Sequence, residues 1–188
     1  METFPQQQPS SCRRVVLYGP ESTGKTTLAR ALAAHYQTQW VPEFARDYLQ
    51  EKWDRNQESC GLDDLPEIVK GQIQLENKAL SKAHKWLFCD TNVLVTKVWS
   101  LTHFHGYCAP ELAEAVNHYH YDFYLLTSPD IPWEPDILRD RPHQRDEMFS
   151  AFLEELKHLQ QPYAIVQGTG EERLQNAILA LEKWANVS

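Results

Sequence analysis

Gly19-Pro20-Glu21-Ser22-Thr23-Gly24-Lys25-Thr26 carries the spacing G-x-x-x-x-G-K-T, that of a loop whose backbone N–H groups wrap the phosphates of a nucleoside triphosphate. Glycines let the main chain approach phosphate oxygens, the Lys25 ammonium reaches the β and γ groups, and the Thr26 hydroxyl is of the kind that ligates magnesium. The flanks decide whether the match is more than chance. Val15-Val16-Leu17-Tyr18 reads as a short buried strand, and Thr27 to Ala34 as a helix with Leu28, Ala31 and Leu32 on one face. Strand, loop and helix in that order put Thr26 at a helix N-terminus, where unpaired amides and the dipole favour an anion. The expected nucleotide site is therefore Gly19, Glu21, Ser22, Thr23, Gly24, Lys25, Thr26 and Thr27, with ATP as nucleotide and Mg2+ at Thr26.

Working outward, apolar runs recur at Trp40-Val41, Trp86-Leu87-Phe88-Cys89, Phe123-Tyr124-Leu125-Leu126 and Tyr163-Ala164-Ile165-Val166, with helical patterns between them. With the first run they make five strands. Such alternation implies βαβ units, right-handed crossovers and an α/β fold of three layers, a parallel sheet covered on both faces. Ligands then sit at the carboxyl ends of the strands. Leu62 to Ala83 reads as one long helix opened by Asp63 and Asp64, and Gln72 and Glu76 interrupt its apolar stripe. A polar group there needs a partner, either another protein group or a bound ligand, and both are entered as substrate-binding candidates. Phe149 to Leu159 and Leu174 to Trp184 make two further amphipathic helices, and Pro129 to Pro142, with four prolines, is a long connection.

The chain has 188 residues, enough for one sizeable core, so residues 13–188 are expected to form a single domain and residues 1–12 a mobile tail. A formal charge of −8 argues against a nucleic-acid partner, whose phosphates are met by basic surface, and leaves a small cationic or neutral substrate easier to accept. No segment approaches the ~18 apolar residues needed to span a membrane. With no leader pattern either, the expected location is cytoplasmic. The four cysteines form no C-x-x-C pair and are expected to be reduced thiols, and the histidines lack a zinc spacing.

Three further places carry chemistry. Asp90 ends the strand from Trp86, where a phosphate-loop fold holds the acid that positions magnesium; alternatively it caps the helix that follows. Thr91 stands after it where water-activating ATPases carry a glutamate, which shifts weight from hydrolysis to transfer. Glu43 ends the second strand with Arg46 one helical turn on. The two could orient an incoming hydroxyl and take its proton, or form an ordinary surface ion pair. Arg139, Arg141 and Arg145 cluster in the Pro-rich connection, either as a lid over the transferring phosphoryl group or as a solvated loop. Gly168, after the last strand, could line the adenine edge, or could be a turn before an N-capping Thr169.

Taken in order, Gly-Pro-Glu-Ser-Thr-Gly-Lys-Thr, Pro-Glu-Phe-Ala-Arg-Asp-Tyr from Pro42, Cys-Asp-Thr-Asn from Cys89 and Asp-Ile-Leu-Arg from Asp136 resemble the kinase domain of NadR-type proteins, the ribosylnicotinamide kinases, over most of residues 13 to 186. The resemblance implies an AAA-type nucleotide-binding core that transfers the ATP γ-phosphoryl group to the 5′-hydroxyl of nicotinamide riboside, giving nicotinamide mononucleotide in NAD salvage. It implies Gly19 to Thr26 for ATP and magnesium, Glu43 and Arg46 for the acceptor, Asp90 for metal or hydroxyl, and Arg139 with Arg145 for the lid. The DNA-binding and adenylyltransferase modules of the NadR regulators are not expected in 188 residues. Because a nicotinamide ring is cationic, aromatic faces suit it, and Trp99, Phe44 and Tyr48 are expected walls. A kinase of another nucleoside or vitamin alcohol, or a nucleotide-dependent switch, fits the phosphate loop equally well.

Overall fold

A computed structural model, which describes residues 4–187, has the order β1 (Arg13–Tyr18), α1 (Lys25–His35), β2 (Gln39–Val41), α2 (Phe44–Asn56), a 3-10 turn (Leu62–Asp64), α3 (Leu65–Leu80), β3 (Trp86–Asp90), α4 (Val93–His103), α5 (Pro110–His118), β4 (Phe123–Thr127), α6 (Arg145–His158), β5 (Tyr163–Val166) and α7 (Gly170–Ala185). The five strands form one sheet in the order β2-β3-β1-β4-β5, and every pairing is parallel. Strand side chains alternate between two cores. Val16, Tyr18, Leu87, Cys89, Tyr124 and Leu126 pack with α3, α4, α5 and α6, while Val15, Leu17, Phe88, Leu125 and Val166 pack with α1 and α7. Burial on both faces is why these strands read as continuous apolar runs. The α/β fold expected from the sequence is the one observed.

The register fixes the functional edge. Leu17 lies opposite Asp90, and Tyr18 opposite Leu126, so β1, β3 and β4 end level with one another beside the loop 19–24.

The helix expected over 62–83 is divided. Asp64 accepts from the Gly61 N–H at 2.7 Å, the Lys52 ammonium at 2.7 Å and the Tyr48 hydroxyl at 3.0 Å, which ties the 3-10 turn to α2. Pro66 then sits in the first turn of α3, where its missing N–H costs no hydrogen bond. The segment 4–12, expected to be a mobile tail, instead lies against the α3 and α5 side. Gln8 N–H donates to Asn77 at 2.8 Å, the Asn77 amide donates to the Gln6 carbonyl, the Tyr119 hydroxyl to the Pro5 carbonyl, and Phe4 packs on the core. Residues 1–3 of that tail lie outside the described residues.

Helices α2 and α3 approach closely at Gly71, where an added Cβ would stand 2.3 Å from the Phe44 ring. Phe44 is the first residue of α2, directly after Glu43, and its ring stacks on Tyr48. Gly71→Ala is therefore expected to push α2 away and cost about 1–3 kcal/mol, as overpacking does. A thermal midpoint equal to the wild type's would contradict this.

Candidate active site

The turn between β1 and α1 folds so that Gly24 takes φ +76°, a left-handed conformation that glycine adopts without penalty. The Thr23 hydroxyl donates to the Pro20 carbonyl at 2.8 Å and lies 2.7 Å from the Thr127 hydroxyl, tying the loop to the end of β4. The Lys25 ammonium donates to the Pro20 carbonyl at 2.7 Å. The Thr26 hydroxyl donates to Asp90 Oδ2 at 2.5 Å.

Asp90 is buried, and its Oδ1 has no hydrogen-bond partner among the described residues. It does not cap α4. That position belongs to Asn92, whose Oδ1 accepts from the Val95 N–H at 3.3 Å and whose amide donates to the Tyr124 hydroxyl at 3.1 Å. Between them Thr91 adopts φ +68°, which a β-branched residue rarely does. A hydroxyl and a carboxylate with one oxygen unclaimed, next to a phosphate-type loop, are hard oxygen donors suited to magnesium. No cluster of three His, Cys, Asp or Glu that could hold a metal exists among the described residues. The protein thus supplies a half-shell of the kind that magnesium completes with phosphate and water.

Lys25, Glu21 and Glu43 line a cleft of about 490 Å³ that opens from the loop toward α2, α3 and α4. Burial, then the charge of Asp90, pushes the Glu43 carboxyl up to about 7, while Lys25 pulls it down. Burial, then Asp140, also raises Glu21 to about 7, and burial raises Asp90 against the pull of Lys25 and Thr26. Acids with raised pKa beside a lysine in a cleft are suited to proton transfer near neutral pH.

Residues 128–144 form neither helix nor strand and lace across the cleft. Glu134 N–H donates to the Ser22 hydroxyl at 2.8 Å, and Arg145 donates to the carbonyls of Ile131 at 2.8 Å and Ser22 at 3.2 Å. Arg139 donates to the Glu134 carbonyl at 2.6 Å, and Arg141 to the Thr102 carbonyl at 3.0 Å. Arg139, Arg141 and Arg145 all line the cleft. Arg46 does too, but its ion-pair partner is Asp136 of this segment rather than Glu43; both terminal guanidinium nitrogens donate to the carboxylate, Nη1 to Oδ1 at 2.8 Å and Nη2 to Oδ2.

The remaining candidates divide. Trp99 lines the cleft and stacks on His103 with ring centroids 4.0 Å apart. Phe44 and Tyr48, expected as walls, are not among the lining residues and stack on each other instead. Gln72 lines the cleft, and its Oε1 accepts from the Phe44 N–H at 2.9 Å, completing the start of α2. Glu76 corrects the expectation of a ligand contact: it is fully buried away from the cleft, and the Tyr121 hydroxyl donates to it at 3.0 Å. Thr27 is exposed on α1, outside the cleft lining. Gly168 also stands apart from it, its N–H donating to Asp130 at 2.8 Å. Thr127 and Arg173 carry no sequence signal, since a single polar residue at a strand end or inside a helix has no spacing to mark it, and Asn92 shows in the sequence only as the last residue of Cys-Asp-Thr-Asn, with no role attached.

Burial pushes Glu76 up to about 7, with Tyr121, Arg14 and the nearby amides of Gln7 and Gln72 pulling the other way. The folded chain then holds a proton that the unfolded chain loses above pH 4.5, so this residue's contribution falls as pH rises from 4.5 to about 7. Glu76→Gln is expected to remove that fall, gaining roughly 3 kcal/mol on the wild type between pH 4.5 and 7.5. Urea unfolding of both proteins at the two pH values checks it, and parallel pH dependences would contradict it.

Comparison with known proteins was made against this geometry. The family AAA_28, described as an AAA domain, matches residues 14–173. The trifunctional NAD biosynthesis/regulator protein NadR of Salmonella typhimurium is 29% identical over 132 residues, 70% of this chain and 32% of the relative. The chain therefore spans about a third of that relative's length. Among solved structures, a NadR protein in complex with NR superposes with a TM-score of 0.76 at 21% identity, covering 92% of this chain and 50% of that one. A NadR protein in complex with NAD and AMP-PNP gives 0.73 at 22% identity, with coverage of 92% and 49%. At these identities the superpositions establish a shared fold and nothing beyond it. No helix among the described residues is long and apolar enough to cross a membrane.

Proposed function

The chain belongs to the AAA domain family AAA_28, and from that premise we propose that it is an ATP-dependent kinase of a small alcohol, with the ribose 5′-hydroxyl of nicotinamide riboside as acceptor. One observation carries the reading: part of the phosphate-type loop, its lysine and a raised-pKa carboxylate at Glu43 line a single cleft, and the Thr26–Asp90 pair lies just beside it, with Asp90 close enough to act on Glu43 and Thr91 and Asn92 after it on the lining. The NadR relative, and the neighbour described in complex with NR, support the choice of acceptor.

In this reading backbone amides of the loop 19–26 and the Lys25 ammonium hold the triphosphate. Thr26 and Asp90 would hold magnesium, which when bound neutralises phosphate charge. Glu43 or Asp90 orients the acceptor hydroxyl and takes its proton as its oxygen attacks the γ-phosphorus and the bond to the β-phosphate oxygen breaks. Arg139 and Arg145 balance the charge that develops on the transferring group, and the lid segment keeps water from competing for it. Arg46 and Gln72 hold the acceptor side, and Trp99 offers an aromatic face to a cationic ring. Such a substrate is a small molecule; neither nucleic acid nor membrane has a place in the reaction.

The test is direct. With ATP, magnesium and millimolar nicotinamide riboside, nicotinamide mononucleotide is expected by mass, and ADP release is expected to rise with acceptor. Absence of that product rejects this acceptor, and a panel of nucleosides and vitamin alcohols then identifies a different one. ADP release unaffected by every acceptor points to a nucleotide-dependent switch.

A further inference from the structure

Arg173 is 4% exposed, and its guanidinium is surrounded by main-chain oxygens. Nε donates to the Gly168 carbonyl at 2.6 Å, Nη1 to the Thr23 carbonyl at 2.6 Å and Nη2 to the Ser128 carbonyl at 3.2 Å, and Nη2 also pairs with the Asp130 carboxylate. These acceptors belong to the phosphate-type loop, the end of β4 with the lid segment after it, and the turn before α7. Asp130 returns a bond through its other oxygen, taking the Gly168 N–H at 2.8 Å. One side chain from the first turn of α7 thus fastens three loops that are far apart in sequence.

We infer that Arg173 is a positioning residue for nucleotide binding, which aims the amides of the phosphate-type loop. The Thr23 carbonyl and the Gly24 N–H belong to one planar trans peptide, so they point in opposite directions. Holding the carbonyl against Arg173 turns the Gly24 N–H to the other side, into the loop that the glycines open for phosphate. Gly24 stands at φ +76°, a conformationally free point of the turn, so its peptide gains from an external anchor. Only arginine suits the task. Its planar fork sends donors to three carbonyls and a carboxylate at once, whereas a lysine ammonium has three donors and no such spread. The inference rests on the kinase reading only in taking the loop's ligand to be an adenine nucleotide.

The experiment compares wild type, Arg173→Met, Arg173→Lys and Asp130→Asn as full chains. Calorimetry measures ADP and ATP binding without acceptor, steady-state kinetics gives KM for each substrate and kcat, and thermal unfolding reports the folded fraction. Arg173→Met is expected to weaken ADP binding about tenfold or more and raise KM for ATP in step, with acceptor KM little changed. Arg173→Lys should recover part of that affinity, and Asp130→Asn, which leaves the three carbonyl contacts, should lose less than Arg173→Met. A purely structural role would lower the unfolding temperature while folded protein kept its wild-type ADP affinity. That result, in Arg173→Met or, if that variant does not fold, in Arg173→Lys and Asp130→Asn together, overturns the inference. A wild type that binds ADP yet phosphorylates no acceptor would sink the kinase reading and leave this one intact.

Discussion

Lys25→Ala is expected to lower the rate of phosphoryl transfer by about 10²–10³-fold or more while leaving the fold intact, because a preorganised charge aimed at developing negative charge is worth that much. The side chain lies partly exposed at the cleft and donates to the Pro20 carbonyl, so its removal empties no core position. A second consequence separates this effect from loss of binding. Lys25 pulls down the pKa of both Glu43 and Asp90, so without it both carboxyls hold their protons to higher pH. Residual activity in the variant should therefore rise with pH along a limb displaced upward from the wild type's. Single-turnover rates at saturating ATP across pH 6–9, with circular dichroism as the fold control, measure both. Near-normal turnover would remove the lysine from the mechanism.

The exchange of one carboxylate for an amide at Glu43 has the next largest expected effect. General-base catalysis contributes about 10²–10⁴-fold, and Glu43→Gln should lose that much if Glu43 takes the proton. The wild-type profile should show an acid limb near pH 7, since Glu43 must be ionised to act and its pKa stands at about 7. Glu43→Gln should abolish the limb. Asp90→Asn should instead keep an acid limb and raise the magnesium concentration needed for half-maximal rate. If Asp90→Asn erases the limb while Glu43→Gln keeps it, the two roles are exchanged.

The sequence announced the fold with little ambiguity because its cause is local and repeated. A parallel strand buried on both faces must be apolar throughout, and Val15 to Leu17, Leu87 to Cys89 and Phe123 to Leu126 are that. The phosphate-type loop was legible for a similar reason: its chemistry lies in one unbroken stretch. What stayed hidden depends on contacts between distant segments. Arg46 seemed a partner for Glu43 three residues away, yet it pairs with Asp136, ninety positions on. Gln72 and Glu76 looked equivalent on their helix, and only the packing separates them, one reaching the start of α2 and the cleft, the other Tyr121. Arg173 in α7 gave no periodic signal, because an arginine early in a helix is common and its carbonyl partners belong to other loops.

The stitching of residues 4–12 onto α3 and α5 bears on how the chain is trimmed for study. A boundary drawn at Arg13, where the strand pattern begins, would delete the Gln8 carbonyl that receives the Arg14 guanidinium at 2.5 Å and the Gln7 amide beside the buried Glu76. It would also strip Phe4 from its apolar seat. A shortened clone would then carry a cation stripped of that acceptor next to an acid already costly to ionise, and poor yield from such a clone would reflect that loss rather than a defect in the cleft.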